Sequence, residues 1–343
     1  MRRFFVLATV VATFVALLSF VQRTPASEGG DGASVTTSDP IVQAPAAAEK
    51  FDSNRAWEHL RQLVSIGPRP AGSPGIRQTR AYITRQIAAM GLTVQEQPFT
   101  VETPQGKIEM VNLIVRLAGK RPEKILITGH YDTKFFRDQV FVGANDGGSS
   151  GAFLIELARV LKDRPREWTY ELVWFDGEEA FCLGWTDCGT PASPDNTYGS
   201  RYYVRQAQEA KAIATLKAMI LVDMIGDRDL VIKRESNSTP WLKDLIWGAA
   251  KRVSHGGTFV DIETDIEDDH FPFLKAGVEG LDREGTEFLV AGVPAVDIID
   301  LEYPAWHHTS GTDTIDKVSA RSLQIVGDVL LAALPDIEKR LVK

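Results

Sequence analysis

The chain has 343 residues, 44% hydrophobic and 24% charged, enough for one large globular domain or two small ones. Its formal charge is −8, with the acids scattered and no basic run, which excludes a nucleic-acid footprint.

In chain order, the first element reads as a signal rather than as part of the fold. Arg2 and Arg3 precede an uncharged apolar run over residues 4–21, and Thr24-Pro25-Ala26 supplies small residues for cleavage. Residues 1–26 therefore read as an export signal. The run is also just long enough for a tilted membrane anchor, which stands as the alternative and is the only route to a membrane. Cleavage after Ala26 removes three arginines and no acid, taking the formal charge from −8 to −11. Residues 27–50 are small, polar and Pro/Ala-rich, too poor in apolar surface to offset the entropy of ordering, and read as a disordered linker. Either route places the folded domain, residues 51–343, in a periplasmic or extracellular setting. There the only two cysteines, Cys182 and Cys188, are expected to pair, with two thiols as the alternative.

From Phe51 the pattern alternates between helix and strand signals. Trp57, Leu60, Leu63 and Val64 recur at helical spacing and stop at Gly67-Pro68; Tyr82, Ile83, Ile87 and Met90 do so and stop at Gly91. Strand-like stretches follow at 92–101, 108–117 and 124–128. A helix pattern over 151–161 precedes a buried-strand pattern at 171–175, and two more apolar runs lie at 218–222 and 295–299. Strands separated by helices predict a mostly parallel sheet covered on both faces, an α/β class. In such sheets ligands sit beyond the carboxyl ends of the strands. His130 and Asp132 follow one strand, Asp176 to Glu179 another, Asp223 closes a third, and His307-His308 follow a fourth.

Zinc takes histidine nitrogen and carboxylate oxygen, and a catalytic zinc keeps one position open. One strand-end histidine is more often structural, and one acidic pair is more often solvated surface. The joint order is what points to a metal site: Gly129-His130-Tyr131-Asp132-Thr133, Gly143-Ala144-Asn145-Asp146-Gly147, Phe175-Asp176-Gly177-Glu178-Glu179-Ala180, Leu221-Val222-Asp223 and Trp306-His307-His308-Thr309. Adjacent glutamates in an extended segment point apart, so one can bind metal while the other faces the reacting atoms. The apolar strand before them and Phe181 beside them predict a desolvated Glu178 with a raised pKa. Asp132 is placed to accept the second ring N–H of His130.

These motifs resemble the zinc exopeptidase family that contains bacterial aminopeptidases and glutaminyl cyclases. The resemblance runs from Gly67-Pro68-Arg69-Pro70-Ala71-Gly72-Ser73 to the C-terminal helix. It implies a three-layer α/β/α sandwich with a mostly parallel twisted sheet. It further implies Asp146, Glu179 and His308 as zinc ligands, with His307 as the fallback because the histidine is doubled. His130 and Asp223 match the ligands of a second zinc in the aminopeptidases, and Glu178 matches the general acid/base.

Several segments resemble the cyclase branch: Asp176 to Phe181 with Trp185 after it, Tyr198-Gly199-Ser200-Arg201, and Glu267-Asp268-Asp269-His270-Phe271-Pro272-Phe273. The last implies Asp268 as a further catalytic carboxylate beside Asp223, while Trp185 and Trp306 are implied as walls of a substrate pocket. The expected enzyme is thus a glutaminyl-peptide cyclotransferase with one Zn2+. The alternative is an aminopeptidase with two. Either acts on peptide or protein N-termini, as a monomer.

The segment Phe273 to Val278 recurs as Phe288 to Val293, and the second copy leads into Pro294 and the next strand. The extra residues either loop out or displace Asp268. Readings from other classes are a serine hydrolase, from Gly147-Gly148-Ser149-Ser150-Gly151 as a nucleophile elbow, and a receptor module with a dead site. His59, His255 and His270 read as surface or packing residues.

Overall fold

The computed structural model describes residues 49–277, 279–281, 287–289, 292–303 and 311–342. The signal and linker readings, up to residue 48, lie outside the described residues, and so do Trp306, His307 and His308. The chain divides into Met1–Ala46, outside the described residues, and Ala47–Lys343, to which everything below refers.

Helices α1 (Ser53–Ile66) and α2 (Pro74–Ala89) form where the periodicity predicts them. Asp52 caps α1 by accepting from the Asn54 and Arg55 amides, and Gly67 ends it at φ 89°. Ser73 accepts from the Ile76 amide at the start of α2, with Pro74 in the first turn.

Six strands follow as one sheet: β1 (Val94–Thr103), β2 (Gly106–Leu117), β3 (Arg121–His130), β4 (Trp168–Phe175), β5 (Leu216–Asp223) and β6 (Ala295–Ile299). Their spatial order is β1-β2-β4-β3-β5-β6. The pairings of β4 with β3, β3 with β5 and β5 with β6 are parallel; β1 with β2 and β2 with β4 are antiparallel. Only Pro104 and Gln105 separate β1 from β2, too short a link for a parallel crossover.

The core is split by the two-residue alternation of the central strands. Ile125, Ile127, Leu172, Trp174, Ala218, Ile220 and Val222 face α1, α2, α3 (Gly148–Leu161), α5 (Pro240–Arg252) and α7 (Ala320–Val342). Leu126, Val173, Phe175, Met219 and Leu221 face α4 (Tyr198–Glu209) and the short α6 (Phe271–Leu274). Every residue of β4 is buried, including Thr169 and Glu171, and its last four residues form the apolar run Leu172-Val173-Trp174-Phe175. The result is the expected three-layer α/β/α sandwich, with the thicker helical layer on one side.

The duplicated segment loops out. Glu279–Leu281 pairs antiparallel with Glu287–Leu289, and the Val293 amide returns to the Phe273 carbonyl at 2.9 Å. The chain thus rejoins its path beside its point of departure, and Asp268 stays buried, at 3% exposure. Among the described residues no helix is long and apolar enough to cross a membrane.

Candidate active site

The parallel strands β3, β4 and β5 end side by side. His130 pairs with Phe175 across β3 and β4, and Thr128 with Leu221 across β3 and β5. This brings His130, the Asp176–Glu179 turn and Asp223 to one edge of the sheet, as the sequence reading expects.

His130, at 1% exposure, is the hub. Its Nε2 lies 3.0 Å from Asp223 Oδ1 and 3.2 Å from Asp146 Oδ1. Its Nδ1 lies 3.4 Å from Asp132 Oδ1 and 3.6 Å from Glu178 Oε2. Asp132 does more than its predicted task. Its carboxylate also accepts the backbone amides of Glu178 at 3.2 Å and Glu179 at 3.3 Å. One side chain thus orients the histidine and the glutamate pair together. Glu179 is buried, with Lys134 Nζ 4.0 Å from its Oε2.

Two glycines make this approach possible. Gly147, at φ 68°, follows Asp146 where a Cβ would stand 2.2 Å from the Asp132 carbonyl and 3.0 Å from His130 Cε1. Gly177, at φ 73°, turns the chain out of β4 with Met110 Sδ 2.5 Å from where a Cβ would be. Met224, just past Asp223, adopts φ 45° without being glycine, and its amide donates to Asp223 Oδ1 at 2.8 Å. Backbone held in that region marks a site whose surroundings over-determine it.

Asp146 sits on a turn clamped from both sides, and neither clamp was read from the sequence. Asp313 accepts from the Asn145 amide at 2.8 Å and the Asp146 amide at 2.9 Å, and from the Tyr303 hydroxyl at 2.9 Å. Arg69, fully buried, donates Nε to the Tyr131 carbonyl at 2.9 Å and Nη1 to Val142 at 2.5 Å. Its Nη2 serves Gly143 at 2.7 Å and Asp146 at 3.4 Å. Burial brings this guanidinium down to about 10, with Asp313 and Asp146 opposing the shift, so it stays cationic at neutral pH. Replacing Arg69 by Met should strand several buried carbonyls and cost about 3 kcal/mol or more. A fall in Tm accompanied by weaker metal retention is the expected result, and an unchanged melting curve would contradict it.

A further acidic layer lies behind. Glu178 is driven well above the ordinary carboxylate range, by burial first; His130 opposes the shift, while Asp268 and Glu179 add to it. Asp268 is raised in the same way by burial and by Asp223. Asp269, whose carboxylate accepts from the Ser200 hydroxyl at 2.5 Å, is raised to about 7, chiefly by burial. His270 is not a surface group. It is buried, with Nε2 3.1 Å from Glu235 Oε2 and Nδ1 3.8 Å from Asp297 Oδ2. His59 is half-buried with Nδ1 2.8 Å from the Tyr82 hydroxyl, and His255 pairs with Asp328 at 3.5 Å.

The donor set fits a divalent ion. His130, Asp146 and Asp223 each offer a ligand atom, all within 4.8 Å of one another. One imidazole nitrogen with carboxylate oxygens is a mixture zinc accepts. So many buried carboxylates in one place also call for a positive charge. The serine-hydrolase reading fails here. Ser149 is fully buried, its Oγ donates to the Asn145 carbonyl at 2.6 Å, and it accepts the Ile225 amide.

Beside this centre lies a cavity of about 750 Å³ lined by Trp185, Asn196, Thr197, Arg201, Asp268 and Phe271, among others. Trp185 and Asp268 thus line the same cavity. Trp306 lies outside the described residues.

A histidine–carboxylate cluster at the carboxyl edge of a parallel sheet, with a buried high-pKa glutamate against it, defines a metalloenzyme-type centre. The chain belongs to peptidase family M28, which its residues 112–334 match. It is 29% identical over 293 residues to the glutaminyl-peptide cyclotransferase-like protein of Mus musculus, covering 76% of this chain and 74% of that one. The crystal structure of an Acidobacteriales bacterium glutaminyl cyclase is 36% identical to it, with a TM-score of 0.74, covering 88% of this chain and all of that one. A leucine aminopeptidase precursor from Bacteroides thetaiotaomicron shares the fold, at 23% identity and a TM-score of 0.72, with 84% of this chain and 98% of that one covered.

Proposed function

We infer that the protein is a zinc-dependent glutaminyl-peptide cyclotransferase that closes the N-terminal glutamine of a peptide to pyroglutamate and releases ammonia. The observation that carries this reading is Asp268, a buried carboxylate that lines the same cavity as Trp185 and raises the pKa of Glu178. Hydrolysis by a bound water needs one base. Intramolecular aminolysis must take a proton from the attacking amine and deliver one to the departing nitrogen, so additional buried proton-holding groups have a use. Similarity to glutaminyl cyclases over nearly the whole folded chain supports the same reading.

Asp146 and Glu179, with His308 by the family resemblance, would hold the ion. When bound, zinc would polarise the γ-carboxamide and stabilise the negative charge that develops on its oxygen. The rest of the work belongs to side chains. The substrate's α-amine nitrogen forms a bond to the γ-carbon, and the bond from that carbon to the amide nitrogen breaks. Glu178 takes the amine proton and returns it to that nitrogen, which departs as ammonia, and no water is consumed. Asp223 and Asp268 hold the protons on either side of this exchange. His130, between Asp223 and Asp132, keeps the carboxylates in register. Trp185, and by the family resemblance Trp306, would wall the space for the glutamine side chain.

The His130–Asp146–Asp223 group favours one second reading, a two-zinc aminopeptidase in which His130 and Asp223 bind the additional ion. Purified protein offered an N-terminal Gln-peptide and a leucine anilide, with zinc measured on the same sample, separates the two. Ammonia, pyroglutamate and about one zinc per chain are expected. Release of the first residue with two zincs would replace the cyclase by the peptidase.

The N-terminal run supports export of the catalytic domain. The Cys182–Cys188 disulfide, with Cα atoms 6.0 Å apart, fits an oxidising compartment.

A further inference from the structure

The segment between the Glu178-Glu179 pair and α4 is built around Trp185. Its far end is fixed to the catalytic turn: the Thr197 amide donates to the Glu178 carbonyl at 2.7 Å, and the Tyr198 amide to Gly177 at 2.8 Å. Between these points the chain swings out, and Leu183 is 69% exposed. Trp185 lies in a turn closed by the Gly184 amide on Asp187 Oδ2, at 2.7 Å, and the Asp187 amide on the Gly184 carbonyl, at 3.3 Å.

That turn lies inside the ring formed by the Cys182–Cys188 disulfide, which links residues six apart. Asp195 joins the ring to the body of the protein. Its Oδ2 accepts the Cys182 amide at 2.9 Å and its Oδ1 accepts the Tyr198 hydroxyl at 2.7 Å. The neighbouring Asn196 side chain donates to the Trp185 carbonyl at 3.1 Å. A short antiparallel pairing of Gly189–Thr190 with Ser193–Pro194 brings Asp195 back to Cys182.

We propose that the Cys182–Cys188 disulfide and Asp195 form a positioning device for Trp185, holding its half-buried indole at the cavity beside Asp268 before substrate arrives. This rests on the cyclase reading, in which Trp185 walls the glutamine pocket. An exposed turn left open samples many conformers, and ordering it would then be charged against substrate binding. The covalent ring removes most of those conformers in advance. Asp195 sets the orientation of what remains, because one carboxylate fixes both the start of the ring and the first residue of α4. Neither cysteine takes part in the reaction, so the device acts on affinity and leaves the proton transfers alone.

The test is a double-mutant cycle in the zinc-loaded enzyme. Cys182→Ser/Cys188→Ser should raise KM for a Gln-peptide about tenfold, with kcat within about twofold and zinc content unchanged. Asp195→Asn, which keeps the disulfide, should move KM in the same direction by about threefold. In a Trp185→Ala background the cysteine changes should add less than about twofold, because the group being positioned is gone. An equal cysteine effect in both backgrounds, an unmoved KM, or loss of zinc overturns the proposal. Wild-type turnover of the Gln-peptide reports separately on the cyclase reading. If only the anilide is cleaved, the same cycle run on the Kd of the Gln-peptide still decides whether the ring positions Trp185.

Discussion

Glu178→Gln should retain zinc yet lose turnover by about 10²–10⁴-fold, whereas Glu179→Gln should lose the metal itself. The two residues are neighbours and both are buried, so the contrast tests direction rather than environment. Glu178 Oε2 looks towards His130 Nδ1 at 3.6 Å, and Glu179 Oε2 towards Lys134 at 4.0 Å. Both backbone amides hang on Asp132, so either substitution leaves the turn anchored. Glutamine is nearly isosteric with glutamate and keeps a hydrogen-bonding tip, but it cannot take up the amine's proton. A thousandfold loss corresponds to about 4 kcal/mol of transition-state stabilisation. Zinc quantified on the dialysed variants alongside turnover reads both arms. Equal metal loss in the two would refute the division of labour.

Asp268→Asn should lower cyclisation by about 10²-fold or more with the zinc content unchanged. Asp268 is buried, and its own carboxyl already accepts the Asp269 amide at 2.5 Å, so the loop it begins should persist. What the substitution removes is a group able to hold a proton next to Glu178. Burial and Asp223 both raise the pKa of the Asp268 carboxyl, which suits it to holding a proton during the exchange. An amide keeps the shape of the side chain but cannot take up a proton and give it back. The variant should therefore bind the Gln-peptide with an affinity close to that of the wild type and fail at the chemical step. A kcat within threefold of wild type would remove Asp268 from the mechanism and weaken the case for a cyclase over a peptidase.

Much of this site was legible because its chemistry is local in sequence. The strand-end motifs around His130, Glu178-Glu179 and Asp223 each place a polar group directly after an apolar run, and in a parallel sheet those ends must lie on one edge. The unbroken burial of β4, of β5 from Ala218 onward and of the second half of β3 follows from the same runs. Gly67 marked the end of α1 in the sequence because it satisfies backbone groups next to itself, whereas the caps at Asp52 and Ser73 emerged only with the structure.

What tertiary structure alone decided is everything that depends on contacts between distant segments. Arg69 in a Gly-Pro-Arg loop carries no mark of being buried, yet it serves carbonyls more than sixty residues away. Asp313 stands out in no sequence motif, and only the folded chain brings it to the Asn145 and Asp146 amides. His270 reads as a surface or packing residue, whereas folding buries it between Glu235 and Asp297. The outcome of the duplicated segment also needed the fold, since a repeat does not say which copy the chain keeps in register; the Val293–Phe273 hydrogen bond does. Sequence alone determined which groups stand at the sheet's edge, because side-chain alternation and strand ends are properties of a single segment. The clamps that hold those groups to a working geometry, including the ring around Trp185, come from segments whose meeting only the closed fold specifies.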